Sequence, residues 1–168
     1  MRYTPAAAAL SLLALVTGSM GAAKVTETVD PRAQILLEDG NLQLAKGAVD
    51  AATDSFEAAL AVDPAYTGTY IALGEAARKA GLQGKAIHYY REALERDPNN
   101  LSAISGEGGA LAEKGALEKA RANLARIEGL CGKACPEAQA LTQAIAKGAA
   151  PRVVSAEAVK PQPTVENN

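Results

Sequence analysis

The chain has little of what enzymes use to build a reactive site. Among its 168 residues are one His, two Cys, one Phe and no Trp. His88 lacks a second His or an activating neighbour with which to form a nucleophile–base pair, so we expect a solvent-facing residue and no catalytic group. A metal site would need more His, Cys or acidic ligands at suitable spacing. The sequence therefore favours a protein without enzymatic activity, metal or cofactor.

An excess of charge of one sign is also missing. The 17 Lys and Arg nearly balance 19 Asp and Glu, for a net charge of −2 and a pI near 5.5. This composition has no electrostatic footprint for nucleic acid or an anionic membrane surface. The hydrophobic fraction of 48% is enough to build a core, which excludes a disordered chain. We expect a single folded, soluble domain.

Residues 1–23 have the pattern of a secretory signal peptide. Arg2 is followed by an apolar run from Ala6 to Val16 and then by small residues. This run is too short for a membrane anchor, which needs about 20 apolar residues. We predict cleavage after Ala23, which leaves no stable anchor and moves the net charge from −2 to −3.

A repeat of 34 residues organises the rest of the chain. Asp63-Pro64 and Asp97-Pro98 lie 34 residues apart, and such periods are typical of helical repeat proteins. Alignment on these prolines brings further residues into columns: Gly40, Gly74 and Gly108; Gly47, Gly81 and Gly115; Ala52, Ala86 and Ala120; Phe56, Tyr90 and Leu124. Three copies result, at 33–66, 67–100 and 101–134.

Each copy is predicted to form two helices. In the second copy, helical spacing relates Tyr70, Leu73, Gly74 and Ala77, and then Ala86, Tyr90, Ala93 and Leu94. Gly81 ends the first of these helices. This copy, closing with Asp97-Pro98-Asn99-Asn100, closely resembles a tetratricopeptide repeat (TPR), and the other two copies resemble it with departures at Asp39, Gln43 and Glu107. The resemblance implies an all-α, TPR-like solenoid of three helical hairpins.

The segments beside the repeats have different characters. Pro136 is well placed as a first helical residue, and residues 135–148 are predicted to form a C-terminal capping helix over the open end of the stack. Residues 149–168 are polar and proline-containing, which predicts a disordered tail. Residues 24–32 form an N-terminal linker, in which Asp30 caps the first helix.

The two cysteines, Cys131 and Cys135, lie between the last repeat and the capping helix. In an exported protein we expect them to form a disulfide, which would fix the angle at which the capping helix docks. Free or regulatory thiols remain an alternative. Redox or metal chemistry is disfavoured because the C-x-x-C pair of redox enzymes is absent.

Two extra glycines, Gly106 and Gly109, lie inside a predicted helix, where each costs roughly 1 kcal/mol relative to Ala. Either the neighbours of this helix hold it despite the weakness, which we favour, or the backbone of a partner approaches it closely there.

The resemblance implies that the first helix of each copy lines a concave groove that binds a partner. By repeat position the groove residues are Gln34, Leu37, Asn41 and Leu44 in copy one, Ile71, Glu75, Arg78 and Lys79 in copy two, and Ser102, Ser105, Gly109 and Glu113 in copy three. Such a surface suits an extended peptide or a partner helix. The carboxylate clamp of related cytosolic domains is absent, because only Asn41 among its five matching positions has the required type.

These observations predict a non-catalytic TPR scaffold of the bacterial periplasm that binds a protein or peptide, with a role in the assembly of an envelope complex. An alternative is a homo-oligomerisation unit in which Leu37 and Leu44 pack against another protomer. A thiol-redox accessory protein is less favoured, because it would need a reactive, low-pKa Cys131 or Cys135.

Overall fold

The computed structural model describes residues 28–148, which form seven α-helices and no strand within that range. The helices are α1 (Pro31–Ala45), α2 (Val49–Val62), α3 (Thr67–Lys79), α4 (Gln83–Arg96), α5 (Leu101–Glu113), α6 (Leu117–Cys131) and α7 (Pro136–Gly148). Each 34-residue copy contains one helical hairpin, so the predicted all-α solenoid is confirmed. The predicted signal peptide, the start of the linker and the predicted tail lie outside the described residues.

Caps and turns set the ends of the helices. The side chain of Asp30 accepts a hydrogen bond from the main-chain N–H of Arg32 at 2.8 Å, with proline at the first helical position of α1. The turns after α1, α3 and α5 contain Gly47, Gly81 and Gly115, with φ of +80°, +75° and +88°. Because side chains disfavour this region, glycine is needed at each turn.

Large side chains pack on the glycines of the first helices. Phe56 covers Gly40, and Tyr90 covers Gly74 so closely that a Cβ there would lie 2.8 Å from Tyr90 Cε1. In the third copy Leu141 of α7 takes this place over Gly108, 2.7 Å from the position of a Cβ. The capping helix therefore completes the packing of the last repeat.

Three further contacts hold α7. Leu141 packs with Ile104 and Ile127 in a buried cluster. Ser105 Oγ donates a hydrogen bond of 3.1 Å to the main-chain carbonyl of Glu137. A disulfide joins Cys131 and Cys135 between α6 and α7.

The curvature of the stack follows from which helices touch. The first helices contact one another in the order α1, α3, α5 and α7, whereas α2, α4 and α6 do not contact one another in the described part of the chain. Because the first helices lie closer together, the stack curves around them, and they line its concave side. None of the helices between residues 28 and 148 is long and apolar enough to span a membrane.

Candidate binding groove

An open cavity of about 590 Å³ lies on the concave side, between α3, α5 and α7. Its wall combines charged residues with small and apolar ones: Arg78, Glu113, Lys114, Gly115, Ala140, Gln143, Ala144, Lys147 and Gly148. A cavity of this size and mixed chemistry can hold several residues of a peptide.

An ion pair links two repeats at the edge of this cavity. Arg78 Nη2 lies 2.5 Å from Glu113 Oε1, and Arg78 Nε donates to Glu113 Oε2 at 3.3 Å. Gln83 Nε2 donates to the same Oε2 at 3.0 Å. This geometry is bidentate, which fixes the orientation of both side chains.

The surroundings shift the pKa values of Arg78 and of its neighbour Tyr90. Burial acts to lower the pKa of Arg78, but the hydrogen bond to Glu113 and the charges of Tyr90 and Glu113 outweigh it and raise the pKa above its ordinary value. Burial raises the pKa of Tyr90 to about 12, although the charge of Arg78 opposes this change. Arg78 is therefore charged, and Tyr90 is neutral, across the physiological range.

Two lysines give the cavity its net charge. Lys114 and Lys147 line it, and neither makes an ion pair within residues 28–148. Because Glu113 is already paired with Arg78, the two lysines leave the cavity with an excess of positive charge. The cavity is therefore suited to a ligand that carries a carboxylate or another anionic group beside apolar groups.

The predicted groove residues fall into three classes. Exposed on the first helices are Gln34, Asn41, Glu75, Lys79 and Ser102. Half-buried are Ile71, Arg78, Ser105 and Glu113, and buried are Leu37, Leu44 and Gly109. Leu37 and Leu44 pack with Phe56 and Leu73 in one core cluster, so these two leucines belong to the core and do not face a partner, contrary to the prediction.

The extra glycines of α5 are explained by packing within the chain. Gly106 lies against the ring of Tyr90, in place of a side chain that would collide with it. A Cβ at Gly109 would lie 2.8 Å from Arg78 Nη2. Gly106 is therefore required by its neighbour and is not a tolerated weakness, and neither glycine is open to the backbone of a partner.

Glu107, a departure from the repeat pattern, is a buried carboxylate with two partners. Arg91 Nε donates to its Oε1 at 2.8 Å, and Asn123 Nδ2 donates to its Oε2 at 3.0 Å. These bonds join α4, α5 and α6. Their arrangement is structural, since it lies away from the cavity wall.

The cysteine and histidine residues do not form a reactive site. Cys131, Cys135 and Glu137 bring their ligand atoms within 4.8 Å of one another, but the disulfide leaves no thiolate to bind a metal. His88 is exposed on α4 beside the ring of Tyr89, with 5.7 Å between ring centroids, and an aromatic neighbour does not activate it as a base.

The contribution of α7 to the groove was missed from sequence, because this helix was interpreted only as a cap. It supplies Ala140, Gln143, Ala144 and Lys147 to the cavity. The signal was present, since Leu141 lies two repeat lengths after Leu73. This register places α7 as the first helix of an incomplete fourth repeat.

Comparison with known proteins agrees with this fold. Residues 68–100 match the sequence profile of the tetratricopeptide repeat, and no curated protein matches the chain significantly. Among solved structures, the first TPR domain of human RPAP3 is similar, with a TM-score of 0.61 and 22% identity over 70% of this chain and 94% of that chain.

Two similar structures contain a bound partner. The TPR2B domain of yeast Sti1, solved in complex with pHsp70, has a TM-score of 0.64 and 18% identity over 71% of this chain and 97% of that chain. The Yersinia enterocolitica secretion chaperone SycD, solved with a peptide of the translocator YopD, has a TM-score of 0.61 and 21% identity over 73% and 92%. At these identities the likeness establishes the fold, a TPR solenoid.

Proposed function

We propose that this chain is a non-catalytic protein-interaction module that binds a peptide or a partner helix in its concave groove. The observation that carries the proposal is the open cavity between α3, α5 and α7, whose lysines and apolar alanines offer both charge and contact area. The similar structures of SycD and of yeast Sti1, each solved with a peptide or protein partner, support the same use of the fold.

We further propose that the protein works in the periplasm, during the assembly of an envelope complex. The signal-peptide pattern of residues 1–23 supports export. The disulfide between Cys131 and Cys135 is consistent with an oxidising compartment. N-terminal sequencing of the protein recovered from cells should give Lys24 as the first residue, and an intact Met1 would contradict export with cleavage.

The oligomerisation alternative loses the basis on which it was raised. It required Leu37 and Leu44 to pack against another protomer, and both are buried within their own chain. We therefore retain the groove-binding function alone.

Photocrosslinking tests the groove. A photoreactive amino acid is placed in the full chain at Lys147, in the cavity, or at Lys119, an exposed residue of α6 on the outer layer. We expect the same partner peptides to be captured repeatedly from position 147 and not from position 119. Equal capture from both positions, or none from the cavity, would contradict groove binding.

A further inference from the structure

One face of α1 lacks the cover that the corresponding faces of α3 and α5 have. The third and tenth residues of each copy are Ile35 and Leu42, Thr69 and Ala76, and Ala103 and Ala110. In copies two and three these side chains are 0–1% exposed, whereas Ile35 is 66% and Leu42 61% exposed. The sixth residue behaves alike, because Ala72 and Gly106 are buried and Glu38 is exposed.

The cover in copies two and three is the second helix of the preceding copy. Ala103 packs with Ala93 of α4, and Gly106 lies against Tyr90 of the same helix. No described helix precedes α1. Its two uncovered positions carry the bulkier residues Ile and Leu, which offer more contact area than Thr or Ala would.

We propose that this N-terminal face, formed by Ile35, Glu38 and Leu42, binds an amphipathic helix of a partner protein. The helix would take the place that α2 and α4 hold against the next copy, and so would extend an interface already present twice in the chain. This surface is separate from the concave groove, because it faces along the stack, and the inference does not depend on groove binding.

The charge of the N-terminal face selects the chemistry of the partner. Glu38 lies between the two apolar side chains and makes no ion pair within the described residues. A partner helix that presents Lys or Arg between two apolar residues at helical spacing would match it.

The same charge disfavours a second copy as the occupant. In a two-fold antiparallel pairing, Ile35 of one α1 would meet Leu42 of the other. Both Glu38 carboxylates would then lie near the axis, and like charges across an interface oppose binding. The third candidate occupant is the chain's own segment 1–27.

The experiment places a photocrosslinking amino acid at position 42 in the full chain, expressed in its own cells, with position 130 as the control. Leu130 is also exposed, at 45%, but lies on α6. The captured residues are identified by mass spectrometry. A synthetic peptide of the captured helix is then titrated against the purified protein.

We expect capture from position 42 of a foreign amphipathic helix that contains Lys or Arg. Glu38→Lys should weaken binding of the synthetic peptide at least about tenfold, while Glu95→Lys, on exposed α4 surface, should leave it unchanged. Circular dichroism confirms that both variants fold. Capture of a second copy, capture of residues 1–27, equal capture from position 130, or no capture each overturns the proposal.

A mixing experiment separates the second copy independently. Wild-type and Glu38→Lys chains would attract each other if α1 paired with α1, so light scattering of the mixture should show a dimer in that case. We expect the mixture to remain as each protein is alone, and a mixed dimer would overturn the proposal.

Discussion

Tyr90 of α4 lies with its ring against Gly106 of α5, the next repeat along the chain. The same ring covers Gly74 of its own repeat, so one side chain joins three helices. Two glycines in two repeats are therefore determined by a single aromatic residue.

Gly106→Ala should destabilise the protein although alanine is the better helix former. The added methyl group would overlap the buried ring of Tyr90, and overpacking of this kind costs about 1–3 kcal/mol, against a gain of roughly 1 kcal/mol in helix propensity. Urea unfolding would measure the difference. Gly129→Ala is the control, because Gly129 lies in α6 with nothing near its Cβ position, and it should gain about 0.5–1 kcal/mol. Equal gains for both variants would contradict this packing.

Gly109→Ala should behave differently from Gly106→Ala. The neighbour of Gly109 is the flexible end of Arg78, which can move at little cost. The free energy of unfolding should therefore change by less than about 1 kcal/mol. A loss comparable to that of Gly106→Ala would show that the position of Arg78 is rigid.

Removal of the Glu107 carboxylate should cost about 1–3 kcal/mol, because the buried amide of Asn123 loses an acceptor. Glu107→Gln retains an acceptor oxygen and should cost less than Glu107→Ala. Thermal unfolding would measure both, with Glu95→Ala as an exposed control. Equal stability of Glu107→Ala and Glu95→Ala would mean that the network contributes nothing.

Alkaline conditions should reveal the buried phenol of Tyr90. Its pKa in the folded state is about 12, above the ordinary value of 10.0. Between these values the unfolded chain loses the proton while the folded chain keeps it. The stability is therefore fully present below pH 10 and falls as the pH rises towards 12, by at most about 1.4 kcal/mol per pH unit.

Tyr90→Phe isolates this contribution, since every other titrating group remains. The difference in unfolding free energy between wild type and Tyr90→Phe should be constant from pH 7 to 9.5 and should shift in favour of the variant at higher pH. Parallel curves up to pH 11.5 would show that Tyr90 titrates normally.

Loss of the disulfide should weaken the fold modestly. The loop it closes has five residues, counted from Cys131 to Cys135, for which chain entropy gives about 2 kcal/mol. Because Leu141 and Ser105 also hold α7, the Cys131→Ser/Cys135→Ser variant should remain folded. Thermal unfolding with and without reductant would measure this, and an unchanged melting temperature on reduction would exclude a stabilising role.

The sequence was sufficient to predict the helical hairpins, because their glycine and aromatic columns repeat every 34 residues. It was insufficient where a side chain depends on a partner far along the chain. Asp39 and Glu107 break the apolar pattern, and the structure pairs Asp39 with Ser55 and Glu107 with Arg91 and Asn123. Such pairs have no period.

The groove was predicted less completely than the fold. Repeat position alone placed Leu37 and Leu44 on the groove surface, because it takes no account of how closely α3 packs on α1. The side chains of α7 entered the cavity unforeseen. In both cases the packing of neighbouring helices, and not the position within a repeat, decides which residues remain accessible.

The turns at Gly47, Gly81 and Gly115 share nearly the same backbone geometry. Each hairpin also touches only its neighbours, so the chain has the modular character of a linear array. An additional 34-residue unit inserted between residues 66 and 67 would meet the same junctions on both sides. The length of the groove could thus change in evolution by duplication of one unit, without any redesign of the others.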